Sequence, residues 1–405
     1  MELNNRIFKL HGKVQNYNWG GKEYIPKLLS KVNKDNMCYA EYWLGAHAKA
    51  PSLVETNQGN ISLNKIIKNE PIDNLGKKVN EKFQNLPFLF KVLDVKKMLS
   101  IQVHPTKKAA ELGFEKEQVN GVSLHASNRN YKDKNHKPEL MVALSDFWLL
   151  HGFLEKEKLV ANLKNTKEFN FLIDIFNTGN YYELYEFVMK LSQKEVNRVL
   201  KPLFDRIMPL FKENKLAKNT PNYWAAKSYL EFCSKDFDRG IFSIYFFNIL
   251  NLKKGEAIFQ DAGLPHAYLE GENIELMANS DNVLRGGLTQ KHIDVDELLK
   301  NIKFSATSPK IISKNTNKES VEYIYKTPVK DFELSKINSN SSLVYEAKSK
   351  TPEIIFALNG KVKFIQENRN LLIKRGESIY IKANTYYKIK AISKSAELYK
   401  AKSKL

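Results

Sequence analysis

Three short segments of this chain carry side chains that could hold a metal ion. Leu99-Ser-Ile-Gln-Val-His104 alternates, so a strand puts Ser100, Gln102 and His104 on one face and Leu99, Ile101 and Val103 on the other. Pro105 ends that alternation. Glu139 closes Asn135-His-Lys-Pro-Glu139 and directly precedes the apolar run Leu140–Leu144. His266 follows the turn proline of Gly263-Leu-Pro-His-Ala-Tyr268. Each alone has an ordinary explanation: a polar strand face, a solvated charge, a loop histidine. Together, Gln102, His104, Glu139 and His266 offer two nitrogen and two oxygen donors. Zinc accepts such a mixed shell, and a catalytic site keeps a place for water or substrate. Iron or manganese fits the same donors. The set contains no cysteine, which points away from a structural zinc.

A second constellation is Glu275-Leu-Met-Ala-Asn-Ser-Asp-Asn-Val-Leu-Arg-Gly-Gly-Leu-Thr-Gln-Lys291. The fork of Arg285 suits phosphate or carboxylate, Lys291 adds a point charge, and Gly286-Gly287 lets backbone approach closely. An internal salt bridge between Arg285 and Asp281 beside a glycine turn is the alternative, and spacing does not choose between them.

Bulk properties narrow the partners. The 405 residues suggest two or three domains, and the composition is that of a globular protein. A net charge of +19 favours anionic partners. The lysines are scattered among Glu, Asp and Asn without a basic block, and no helix-turn-helix or RNP signature is present. The expected partner is therefore a small anion rather than a nucleic acid. No apolar run is long enough to span a bilayer, so no membrane partner is expected. Met1-Glu-Leu-Asn-Asn-Arg6 lacks a signal peptide's apolar stretch. Cys38 and Cys233 are the only cysteines, which excludes a disulfide framework. A cytoplasmic monomer is expected.

These residues need elements to position them. Residues 1–152 read mainly as strands and turns, with Leu86–Leu93 as a buried strand. Between about 155 and 235, apolar residues recur at helical spacing (Leu184, Phe187, Val188, Leu191; then Val196, Val199, Leu200, Leu203, Phe204, Ile207). Ser192 and Glu195 form a capping box, and Pro202 predicts a kink or a later start. Ile241–Phe247 reads as a strand, 310–320 as a linker, and Ile354–Gly360 as a strand entering an Asn-Gly hairpin. Lys253-Lys-Gly-Glu-Ala-Ile-Phe259 matches Lys374-Arg-Gly-Glu-Ser-Ile-Tyr380, a turn leading into a strand in both cases. The repeat predicts a mainly β protein, two cupin-type jelly-roll sandwiches with an inserted α-helical domain. Extending the match sets Tyr387 opposite His266, so the second sandwich lacks that ligand. The expected boundaries are 1–152 and 239–318 for the catalytic sandwich, 153–238 for the helical domain, and 319–405 for a metal-free C-terminal sandwich.

The chain resembles the type I phosphomannose isomerases. The likeness runs through Val14-Gln-Asn-Tyr-Asn-Trp-Gly20, Glu41-Tyr-Trp-Leu-Gly-Ala-His47, Leu86-Pro-Phe-Leu-Phe-Lys91, Leu99–Pro105, Asn130–Leu140, Pro265–Leu269 and Met277–Arg285. The helical insert and the C-terminal sandwich match more by position than by residue. The resemblance implies one zinc on Gln102, His104, Glu139 and His266, and a catalytic Arg285. It implies isomerisation of mannose 6-phosphate to fructose 6-phosphate through an enediol. The sugar phosphate would contact Ser100, Lys137, Arg285 and Lys291. A base near working pH is also required, and Glu275, Asp281, His136 and Lys137 are the candidates. Where the family shows Arg-Ala-Gly-Leu-Thr-Pro-Lys, this chain has Gly286 and Gln290, which leave every charged position intact. Two rivals stay open: an iron-dependent oxygenase of the same fold, and a non-catalytic sugar-binding protein.

Overall fold

The computed structural model describes residues 5–233, 235–313, 321–340, 344–367 and 369–404. Strand outweighs helix only slightly, so the fold is mixed α/β rather than mainly β. Helices are not confined to the insert. Leu63–Asn69, Pro71–Leu75, Lys77–Phe83 and Lys107–Val119 all lie within the first 152 residues. The last of these starts just beyond His104-Pro105, where the Thr106 hydroxyl accepts from Ala109 N at 3.1 Å and caps it.

Three antiparallel sheets stack in layers. A ten-stranded sheet is built around His266–Ala278, an eight-stranded sheet follows, and a four-stranded sheet lies outermost. Leu10, Val54, Phe90, Val92, Leu140 and Leu276 share one core with Ile354, Phe356 and Tyr380, which joins the first two sheets. Ile355 and Ile379 meet Val362, Phe364 and Ile389 in the next core, between the eight- and four-stranded sheets. The chain ends are interleaved. Ile7–His11 pairs with Ser378–Ile381 on one side and Leu53–Thr56 on the other, so the eight-stranded sheet contains both N- and C-terminal strands.

His266–Ala278 organises the first sheet. From His266 to Glu270 it pairs with Phe147–Phe153, and His266 also opposes Gln102. From Gly271 onward it pairs with Phe88–Val95, and from Asn273 to Met277 also with Glu139–Ala143. The change of partner falls at Gly271, where φ is +126°, and a Cβ there would lie 2.7 Å from the Asp146 carbonyl. Only glycine takes that bend without strain.

The helical block from Lys156 to Phe246 packs on the face that carries Ile101, Val103, Leu150 and Ala267. The capping box at Ser192 and Glu195 is present. The helix it opens runs from Gln193 to Lys212 with Pro202 and Pro209 inside it, so it does not start later than the capping box. Its buried stripe of Val196, Leu200, Leu203, Phe204 and Ile207 outweighs the two lost backbone bonds. Ile241–Phe247 is corrected more sharply. Gly240–Phe246 is a helix and the strand begins only at Phe247. All seven helical residues are buried, and an all-apolar run has no period by which to tell helix from strand.

The Asn359-Gly360 turn is also not a hairpin. Glu353–Asn359 lies in the eight-stranded sheet and Lys361–Gln366 in the four-stranded one, so the turn crosses between layers. The repeated turns do match. In each the glycine has positive φ (Gly255 +90°, Gly376 +83°). In each the following glutamate accepts from the first residue's N–H, Glu256 from Lys253 at 2.8 Å and Glu377 from Lys374 at 2.9 Å. The predicted linker lies largely in 314–320, outside the described residues. Among the described residues, no helix is long and apolar enough to cross a membrane.

The Gly286-Gly287 pair does permit close approach. Gly287 has φ +124°, and a Cβ on it would sit 2.3 Å from Gly240 Cα, at the start of the buried helix. Asp238 staples the contact, accepting from Gly240 N and Leu288 N. Gly287→Ala should therefore destabilise the protein by about 2 kcal/mol or more. Urea denaturation measures this, and an unchanged midpoint would refute the close contact.

Candidate active site

Alternation along Ile101–Val103 and its flanks turns Ser100 and Gln102 into a cavity of about 730 Å³. Lys137, Glu139, His266, Glu275, Asp281, Arg285 and Lys291 line the same cavity. His104 is fully buried beside it. One candidate is not brought there. His136 faces the other way and its Nε2 lies 3.0 Å from Asp331 in the C-terminal segment. Lys137 Nζ and Glu139 Oε1 are 3.0 Å apart on one face of the extended chain, so the intervening alternation turns His136 outward. His136 is therefore not placed to act as the base.

His104, Glu139 and His266 form a buried cluster whose donor atoms lie within 4.8 Å of one another. His104 Nδ1 faces the Asn282 carbonyl at 2.9 Å, and His266 Nδ1 faces the Leu264 carbonyl at 2.9 Å. A carbonyl can only accept, so both Nδ1 atoms carry a proton, and in the neutral ring each Nε2 then presents its lone pair on the Glu139 side. The separations are 3.3 Å from His104 Nε2 to Glu139 Oε1 and 3.4 Å from His266 Nε2 to Oε2. These are long for charge-assisted hydrogen bonds, and His104 Nε2 is buried without a hydrogen-bond partner. They equal the ligand–ligand edge, about 3.3–3.4 Å, of a tetrahedron with zinc bonds of about 2.0–2.1 Å. Gln102 stands opposite His266 on the adjoining strand. Electrostatics fit the same use. Burial and the Lys137 ammonium push His104 down to about 4, leaving it neutral. Burial pushes Glu139 up, but Lys137 and His104 hold it well below the usual carboxylate range. A carboxylate and a neutral His104 imidazole are the ligand forms a divalent metal requires.

A buried charge network forms another wall. Lys91 Nζ lies 2.9 Å from Glu275 and 3.3 Å from Glu41. Tyr268 donates to Glu275 at 2.8 Å, and the Trp43 indole donates to Glu41. Burial would strip the Lys91 proton, yet Glu275 and Glu41 hold its value above the ordinary one. Burial raises Glu275 from its ordinary value, against the pull of Lys91. Sequence reading missed Lys91 and Glu41. The signal was available in Leu86-Pro-Phe-Leu-Phe-Lys-Val-Leu93, because a lysine inside a buried strand is costly unless paired.

The Arg285–Asp281 salt bridge does not form. Asp281 pairs instead with Lys49 at 2.7 Å and His47 at 3.4 Å, and these hold its carboxyl far below the usual range despite burial. Arg285 has no carboxylate partner among the described residues. Burial lowers its value, and burial with the Arg285 charge lowers Lys291. A half-buried guanidinium near an ammonium, with no carboxylate partner among the described residues, is a charge pattern that attracts an anion.

The C-terminal residues beyond 318 carry no such cluster among those described. Tyr387, opposite His266 in the repeat, donates to buried Glu353 at 2.6 Å.

A family model described as "Phosphomannose isomerase type I, catalytic domain" matches residues 7–156. The mannose-6-phosphate isomerase of Escherichia coli (strain K12) is 37% identical over 382 residues, 93% of this chain and 95% of that one. The Homo sapiens mannose-6-phosphate isomerase is 35% identical over 361 residues, 82% of each. The fold is similar to that of the Salmonella typhimurium enzyme crystallised with fructose 6-phosphate and zinc. The TM-score is 0.87 at 33% identity, covering 99% of this chain and 100% of that one.

Two buried histidines should make the metal-free protein acid-labile. Burial pushes His151, which opposes His266 on the neighbouring strand, down to about 3, and His104 lies at about 4. Both values are depressed, so the folded state refuses protons that the unfolded chain accepts below about 6.5. Stability is therefore full above that pH and falls as pH drops from 6.5 toward 4, by roughly 1 kcal/mol per pH unit for each ring. Melting the chelator-treated protein from pH 8 to 4.5 checks the sign. A midpoint that holds steady or rises below pH 6.5 would contradict it.

Proposed function

The chain belongs to the type I phosphomannose isomerase family, and we propose that this pocket interconverts mannose 6-phosphate and fructose 6-phosphate with one zinc ion. One observation carries the reading: the His104–Glu139–His266 donor set adjoins the same cavity as Arg285, a guanidinium without an acidic partner among the described residues. His104, Glu139, His266 and Gln102 hold the metal. Bound zinc supplies a Lewis acid that stabilises charge on a sugar oxygen or holds the hydroxyls in place.

The chain's own groups handle the rest. Arg285 and Lys291, with Ser100, receive the phosphosugar's anionic end. Isomerisation moves a proton from C2 to C1, and negative charge develops on the enediol oxygens in between. Lys91 is kept protonated by Glu275 and Glu41, so it acts as a fixed cation toward that charge. Glu275 is the best-suited base among the candidates, because burial raises it toward working pH while the cavity reaches it. Asp281 is too strongly held as an anion to take protons well, and Lys137 is occupied with Glu139. Proton-handling groups of this kind are superfluous in a protein that only binds sugar.

The domain reading follows the same line. Residues 1–152 and 239–318 make the catalytic jelly roll, 153–238 the helical insert, and 319–405 the second jelly roll. The matched turns at Gly255 and Gly376 support a repeat, with Ile7–His11 and Leu53–Thr56 lent to the second unit.

A coupled assay with mannose 6-phosphate should show turnover that a chelator abolishes and zinc restores. His104→Ala and His266→Ala should each lose zinc and activity, and full zinc occupancy in both would refute the ligand assignment. Arg285→Lys should keep fold and zinc but lower kcat and kcat/KM together if the fork acts in the transition state. A raised KM with kcat spared would restrict Arg285 to phosphate binding, and parental kinetics would exclude both roles.

A further inference from the structure

Asn282 bonds to two separate parts of the candidate site through its side chain and its backbone carbonyl. It is fully buried. Its side-chain oxygen accepts from Lys132 N at 2.7 Å and Asp133 N at 3.2 Å. Its amide nitrogen donates to the Asp133 carbonyl at 2.7 Å and the Asn135 carbonyl at 2.8 Å, with the Asp133 carboxylate at 3.3 Å. Both lone pairs and both protons of the amide are thus used, and only Asn has that shape and that donor–acceptor set. All these bonds go to one loop, 132–135, which leads directly into Lys137 and the metal-site carboxylate Glu139. The backbone carbonyl of the same residue accepts from His104 Nδ1.

The two histidines are oriented differently. His266 is fixed locally, by the carbonyl of Leu264 two residues before it. His104 is fixed by a carbonyl 178 positions away, so its ring direction depends on where the fold puts Asn282. Asn282 also follows Asp281 directly and precedes Arg285 by three residues, and both of those line the cavity. One buried amide therefore connects His104, the loop carrying Glu139 and Lys137, and the strand carrying Arg285.

On the zinc-isomerase reading given above, we propose that Asn282 is a positioning residue that builds two of the metal ligands and the anion-binding strand into one rigid unit. It supplies no ligand atom and touches no substrate. Its loss should weaken zinc binding by about 10–100-fold, the usual effect of removing a group that orients a ligand. It should also leave the zinc-saturated enzyme misaligned, with kcat reduced about tenfold or more.

The test compares the parent enzyme with Asn282→Ala and with Leu200→Ala, a core truncation in the helical block that destabilises without approaching the site. Zinc affinity is measured by chelator competition well below each melting midpoint, and kcat and KM are measured at saturating zinc. The proposal expects weakened zinc binding and lowered kcat in Asn282→Ala alone. Should Asn282→Ala fail to fold, Asn282→Asp serves in its place. It has the same shape, keeps both accepted bonds, loses both donated ones, and should show the same two defects. Zinc affinity within twofold of the parent, or a kcat restored by saturating zinc, overturns the proposal and leaves Asn282 a merely structural residue. A parent that neither binds zinc nor isomerises mannose 6-phosphate overturns the functional reading instead.

Discussion

A carboxylate buried between two imidazoles is the constraint on which the rest of this structure depends. Glu139 is buried and charged, with His104 and His266 offering lone pairs rather than protons. Among the described residues, the Lys137 ammonium is its one lysine or arginine partner, at 3.0 Å. An arrangement of three acceptors pointing at a common centre is repulsive until a cation fills it. The fold holds it open by fixing each member separately. His266 is set by its own turn, His104 by a distant carbonyl, and Glu139 by the strand that pairs with His266–Ala278.

Around that centre the charges are sorted by function. Lys91 is locked between two carboxylates, so its charge is permanent and its position fixed. Asp281 is locked between Lys49 and His47, which frees Arg285 from the salt bridge that its spacing allowed. The cavity is thus lined both by paired charges and, among the described residues, by the cations Arg285 and Lys291 without a carboxylate partner. The protein's overall positive charge favours the same ligand without determining how it sits.

Much of this was legible in the sequence where chemistry and pattern coincide. Alternation placed Ser100 and Gln102 on one face, and the donor types singled out Glu139 and His266. The capping box marked a helix start, and the Gly-Glu repeat marked two equivalent turns. The failures have physical causes. Gly240–Phe246 is buried on every side, so its helix left no periodic trace. Pro202 is tolerated because tertiary packing outweighs a missing bond. His136 looked equivalent to Lys137 until the extended backbone put them on opposite faces. Lys91 and Asn282 were invisible as functional groups because their importance lies in partners 184 and 150 residues away, at Glu275 and Lys132. The pairing of Ile7–His11 with Ser378–Ile381 joins opposite ends of the chain and has no local signature at all.

The measurement that tests the central constraint most directly is anomalous diffraction at the zinc edge from crystals of the full chain. The account requires one strong peak, about 2.0–2.1 Å from His104 Nε2 and His266 Nε2 and in contact with Glu139, with none near Tyr387. An empty centre in crystals grown with zinc, or a peak elsewhere with these three side chains still bonded only to one another, would contradict it.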